Sequence, residues 1–75
     1  MNRFKGLLWW GYIDDEGVIE VKRYTTDRVI ENYERMPFCK GIFEPFQALD
    51  KEEAYALCYA RVSQEANIKW KGKPE

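Results

Sequence analysis

The alternation of apolar and polar positions opens with two strand-like runs around a polar break. Leu7-Leu8-Trp9-Trp10-Gly11-Tyr12-Ile13 and Val18-Ile19-Glu20-Val21-Lys22-Arg23-Tyr24 are rich in β-branched and aromatic residues, and Asp14-Asp15-Glu16-Gly17 separates them. This pattern predicts a β-hairpin whose turn ends on the residue that tolerates positive φ. The first strand is expected over 4–13. If Gly17 takes the left-handed position of a type I turn with a bulge, Asp14 pairs with Val18, and Trp9, Gly11 and Ile13 share a face with Ile19, Val21 and Arg23. A four-residue loop instead sets Trp10 and Tyr12 beside Ile19 and Val21, because a slip of one residue reverses every side chain. In either register one tryptophan faces the core and its neighbour faces away. The outward ring is then a candidate contact residue.

The period changes after Tyr24. Thr25 or Thr26 suits an N-cap, Asp27 suits the first turn, and Val29, Ile30, Tyr33 and Met36 recur at helical spacing. Pro37 stops this helix near Arg35. The run from Phe38 to Glu44 reads as a third strand, with Cys39, Gly41 and Phe43 on one face and Phe38, Lys40 and Ile42 on the other. Pro45, which has no amide to donate, is expected to end it. Asp50 with Glu53 three residues on forms a capping box, and Leu49 with Ala54 a hydrophobic staple. From there Ala54, Leu57, Cys58, Arg61, Val62 and Ala66 mark the seam of a second helix that fades near Asn67.

The element order is therefore ββαβα. The economical arrangement is a two-layer α+β domain, with a three-stranded antiparallel sheet in spatial order 2-1-3 and both helices on one face. Residues 1–68 form this domain, and 69–75 form a basic tail that frays. The second sheet face is left uncovered, and two open edges need protection or a use.

Composition sharpens this picture at one point. Aromatic residues make up 16% of the 75 residues, more than a core this small requires, so the surplus is expected at the surface or in a subunit interface. A formal net charge of -1 supplies no global field for nucleic acid or anionic lipid. Two cysteines, Cys39 and Cys58, and no histidine exclude a disulfide framework and a four-ligand zinc site, so both thiols are expected free and buried. No apolar run approaches a membrane span and no signal peptide is visible, so the chain is expected to be cytoplasmic.

Candidate chemistry is sparse. There is no histidine base, no nucleophile elbow, no phosphate-cradling glycine loop and no metal-ligand spacing. Asp14, Asp15 and Glu16 sit on a predicted turn facing water, where nothing excludes solvent from them. The expectation is a protein that is not an enzyme and needs no cofactor or metal. Surplus aromatics and free edges point to a protein–protein interaction or assembly module, acting as a homodimer or on another protein. Its candidate contacts are Trp9, Trp10, Tyr12, Lys22 and Tyr24. The alternative is a nucleic-acid accessory protein using Lys22, Arg23, Lys69, Trp70 and Lys71, since lysines alternating around an aromatic can hold phosphate and stack a base. The net charge and the missing RNP pattern count against it.

Overall fold

Asp14 sets the register of the hairpin. In the computed structural model, which describes residues 7–71, its carboxylate accepts the amides of Glu16 and Val18 at 2.9 Å each. Its own amide donates to the Val18 carbonyl at 3.0 Å. Gly17 takes φ +82, the left-handed conformation that only glycine adopts cheaply. The three-residue loop is thus the one that forms. It joins β1 (Leu7–Asp14) to β2 (Ile19–Arg23), with Trp9 opposite Arg23, Gly11 opposite Val21 and Ile13 opposite Ile19.

The chain continues through α1 (Asp27–Glu34), β3 (Cys39–Ala48), α2 (Lys51–Gln64) and β4 (Ile68–Trp70). The α+β class and the antiparallel sheet stand as expected, but the sheet has four strands, in the order β2-β1-β3-β4. The 2-1-3 core of the expected order is kept. The extra strand comes from residues assigned to a fraying tail: Ile68, Lys69 and Trp70 pair with Phe43, Ile42 and Gly41. Residues 72–75 of that tail, and 4–6 of the expected first strand, lie outside the described residues.

The helices do not share a face. Trp9, Ile13, Val21, Phe43 and Phe46 pack with Ala54 and Cys58 of α2. Trp10 and Ile42 pack with Ile30 of α1, and Tyr12, Tyr24 and Tyr33 lie against them. Successive strand residues point to opposite faces, so α1 and α2 cover opposite sides and the domain has three layers rather than two. The expectation that one tryptophan faces away fails for this reason. Trp10 is 0% exposed and Trp9 7% exposed. The Trp9 indole also donates to the Ala48 carbonyl at 3.1 Å, which satisfies its buried N–H.

β3 also runs further than expected, passing straight through Pro45. Trp9 faces Phe46 while Gly11 faces Phe43, so Glu44 and Pro45 together oppose Trp10 in a bulge. A bulge is where a strand tolerates a residue without an amide. A second register shift, between Ile13 and Asp14, carries Cys39 to the α1 side, where it is buried with Trp10 and Ile42.

α2 begins as its sequence requires. The Asp50 carboxylate accepts from the Glu53 amide at 2.9 Å, and the Glu53 carboxylate accepts from the Leu49 amide at 2.6 Å. It ends in a Schellman arrangement. Glu65 turns left-handed (φ 55), and the amides of Glu65 and Ala66 close on the carbonyls of Val62 and Arg61 at 3.2 and 3.1 Å. Glycine is the usual residue there, because a Cβ in that conformation costs roughly 1–2 kcal/mol. Glu65→Gly is therefore expected to stabilise the domain by about 1 kcal/mol, raising the melting temperature by about 4–8 °C in a calorimetric scan. An unchanged or lower midpoint would show that the Glu65 side chain contributes something that offsets its strain.

Candidate interaction surface

The ends of the strand order decide which candidate residues can act together. Lys22 and Arg23 belong to β2, at one end of the sheet, and Lys69 and Trp70 belong to β4, at the other, with Lys71 just after it. Three strand spacings of about 4.8 Å separate the two groups, so the basic residues proposed for nucleic acid form two separate clusters. Each is also engaged internally. The Lys22 ammonium lies 5.5 Å from the centre of the Tyr33 ring, and the Arg23 guanidinium lies 5.5 Å from that of Trp9.

Of the five protein-contact candidates, Trp9 and Trp10 are buried and present no ring to a partner. Tyr12, Lys22 and Tyr24 come together, half-buried, on the α1 side of the hairpin. Tyr12 meets Tyr33 at 5.1 Å and Phe38 at 5.8 Å between ring centres, and Trp10 meets Tyr33 at 5.2 Å. The aromatic surplus read from composition is thus largely spent on a second core. Burial and the nearby Glu20 carboxylate raise the Tyr12 hydroxyl above its usual pKa. The Tyr24 hydroxyl is raised by its hydrogen bond to Asp27, 2.9 Å away. Both phenols stay neutral near pH 7 and act as packing groups with a polar tip.

The β4 edge is different in kind. The Lys71 amide donates to the Lys40 carbonyl at 2.9 Å. In an antiparallel ladder the bonded pairs alternate, so Lys69 and Lys71 direct their backbone groups at β3, while Ile68 and Trp70 direct theirs outward. Among the described residues no strand pairs with that outer side. The Trp70 ring is 47% exposed and rests over Gly41. A Cβ added at Gly41 would come within 3.0 Å of that ring and 3.2 Å of the Ile13 side chain.

Lysines hold this short strand in place. The Lys71 ammonium donates to the carbonyl oxygens of Glu34 and Met36, the latter at 2.8 Å. The Glu34 carbonyl is an orphan acceptor at the end of α1, a helix with no basic residue in its own last turn, and the Met36 carbonyl just beyond it also accepts the Cys39 amide at 3.1 Å. Lys69 pairs with Glu34 at 3.2 Å. A cavity of about 290 Å³ opens at the start of β4, lined by Glu44, Pro45, Arg61, Asn67, Ile68 and Lys69. Arg61 is held there by the Glu44 carbonyl at 3.4 Å and by the face of Phe46, 4.8 Å away.

Arg61 and Gly41 were read in the sequence only as positions on a helix seam and a strand face, and Ile68 only as the end of the domain. The alternation Ile68-Lys69-Trp70-Lys71 was the available signal for an amphipathic strand, but its brevity let it pass for a tail. Among the described residues no group of three or more cysteine, aspartate or glutamate side chains is placed to hold a metal ion, and no helix is long and apolar enough to cross a membrane. The chain matches no family model, no curated protein and no solved structure.

The thiols give a pH signature. Cys58 is fully buried under α2, and that burial pushes its pKa from 9.0 up to about 11, with Arg61 pulling the other way. A group whose folded pKa lies above its unfolded value stabilises the fold below the unfolded value and loses that contribution as pH rises through the folded one. Stability should therefore fall between about pH 9 and 11, by at most about 1.4 kcal/mol per pH unit from this group. Urea midpoints across that range should decline less steeply in Cys58→Ala than in the parent. Equal slopes would mean that the thiol is not the titrating group. The seat of Trp70 is open to a separate check. Gly41→Ala should lift the ring, shifting the tryptophan emission to the red with a small loss of stability, and an unchanged spectrum would contradict the close approach.

Proposed function

We propose that this protein is a non-enzymatic protein-binding module and that its contact surface is the outer edge of β4. One observation carries the reading. Two residues, Ile68 and Trp70, direct backbone groups away from the sheet, where none of the described strands pairs with them, beside a half-exposed Trp70. Such an edge recognises an extended segment by adding it as a further strand, with main-chain hydrogen bonds giving affinity and alternate side chains giving specificity. Trp70 supplies a rigid aromatic anchor of the kind that dominates binding energy at interfaces.

Self-association through this edge is the less favoured form. A second copy paired antiparallel about Lys69 sets Lys69 against its equivalent, and centring on Trp70 sets Lys69 against Lys71. Like charges directly opposite are destabilising. Lysines on an edge strand are a common guard against such pairing. The partner is therefore a different chain.

The test is a selection from a library of displayed random peptides, run on the parent protein and on Trp70→Pro in parallel. The amide of Trp70 makes no bond within the sheet, so proline blocks the edge without removing an internal hydrogen bond. Peptides enriched on the parent and lost on the variant are the expected result. Enrichment that survives the variant would place binding elsewhere, and a selection that enriches nothing would end the proposal. Sedimentation velocity over the micromolar range should give the parent and Trp70→Pro the same mass, since this edge does not pair with itself.

A further inference from the structure

We infer that the free edge of β2 pairs with the same edge of a second copy of this chain, antiparallel and centred on Val21. This surface lies at the opposite end of the sheet from β4 and does not rest on the reading of β4. The Asp14 amide donates to the Val18 carbonyl and the Tyr24 amide to the Leu8 carbonyl, so both pairs are bonded ones. Bonded pairs alternate along an antiparallel ladder. Glu20 and Lys22 therefore direct their backbone groups at β1, while Ile19, Val21 and Arg23 direct theirs outward. Among the described residues nothing hydrogen-bonds these outward groups. α2 leaves the edge itself open, because it packs across β1, β2 and β3 on one face.

The side chains choose the occupant. Glu20 and Lys22 oppose Tyr12 and Trp10 and so stand on the α1 face, with Val18 and Tyr24 one step further along the strand at either end. In a pair centred on Val21, Glu20 of each copy stands opposite Lys22 of the other, and Val18 stands opposite Tyr24. Opposite charges and aromatic with β-branched partners are both favourable across strands. On the other face Val21 meets its equivalent, and Ile19 meets Arg23, whose guanidinium already lies over Trp9. All three outward residues of each copy find a bonded partner. Centring on Glu20 or on Lys22 instead sets like charges directly opposite and leaves one outward residue of each copy unpaired.

The charges around the strand agree with this register. Among the described residues no cation forms an ion pair with Glu20, and the Lys22 ammonium lies over the Tyr33 ring. Asp15 and Glu16 precede the strand, whereas Lys22 and Arg23 end it. Beyond that end Asp27 is engaged by the Tyr24 hydroxyl, and Glu31 and Glu34 lie toward β4 beside Lys69. Antiparallel pairing lays the acidic start of one strand beside the basic end of the other. A foreign strand would have to carry this order of charges, whereas a second copy carries it by symmetry. The β4 edges do not pair with themselves, so the product is a closed two-fold dimer in which two four-stranded sheets become one.

The test is sedimentation of the full chain at low salt, from the micromolar to the millimolar range. The parent should show a reversible monomer–dimer equilibrium, and amide exchange at Ile19, Val21 and Arg23 should slow as concentration rises. Glu20→Lys and Lys22→Glu should each weaken the dimer roughly ten- to hundred-fold, because either one sets two like-charge pairs across the two-fold axis. Both changes in one chain restore the opposite-charge order and should restore the dimer. Mixing the two single variants should give a heterodimer, which also shows that each of them folds. Trp70→Pro, which blocks β4, should leave the dimer intact. One protomer mass at every concentration, single variants that dimerise like the parent, or a mixture that stays monomeric overturns the inference. So does a dimer that Trp70→Pro abolishes, since that would move the self-contact to β4. A monomeric parent that still captures peptides through Trp70 would sink this inference and leave the reading of β4 standing.

Discussion

Two neighbouring tryptophans on one inner strand impose the constraint from which the rest of this fold follows. Residues adjacent in a strand point to opposite sides of the sheet. Trp9 and Trp10 can therefore both be hidden only if both sheet faces are covered. Each is a large apolar group, and emptying such a buried site costs roughly 3–5 kcal/mol, a major fraction of the stability of a small domain. The chain meets the demand with one helix on each face. α2 brings Ala54 and Cys58 down over Trp9, and α1 brings Ile30 and Tyr33 over Trp10. The three-layer arrangement also absorbs rings that a one-sided sheet would leave in water, which is why Tyr12 and Tyr33 form an aromatic shelf at the core edge.

The same arrangement determines what stays open. β1 and β3 are inner strands. β2 is the other edge strand; α2 covers its inner face, and its cations lie on aromatic rings. β4 is different, since it covers only Gly41–Phe43 of β3 and leaves the neighbouring bulge at Glu44 and Pro45 uncovered. Lys71 is turned inward to cap α1 and Lys69 pairs with Glu34, so the strand is stitched to the body of the domain while none of the described strands pairs with its outer backbone. Structural use of Lys71 and exposure of Trp70 are two consequences of one short strand. The first fixes the position of the second, and a fixed aromatic beside free amides is what strand addition requires.

Legibility followed the range of the interaction. The hairpin register was readable because Asp14 and Gly17 settle it within a few residues. The start of α2 was readable because Asp50 and Glu53 complete each other locally. The spatial order of the first three strands followed from the antiparallel hairpin and a helix that must cross it. The β3 bulge was not readable, since proline reads as a stop until a partner strand shows where an extra residue can be accommodated. β4 was missed because three residues have no independent strand stability and form only against β3 and the end of α1.

Composition and local pattern alone determined an α+β domain with its hairpin, its two helices and the N-terminal cap of α2, because turns, caps and amphipathic periods are decided between residues close in the chain. Tertiary structure alone decided that the helices lie on opposite faces, that Trp9 and Trp10 are both buried, and that Trp70 stands at an open edge. Those outcomes depend on which side of the sheet each crossover packs, a choice made by volume and burial summed over residues far apart in sequence, which no local pattern encodes.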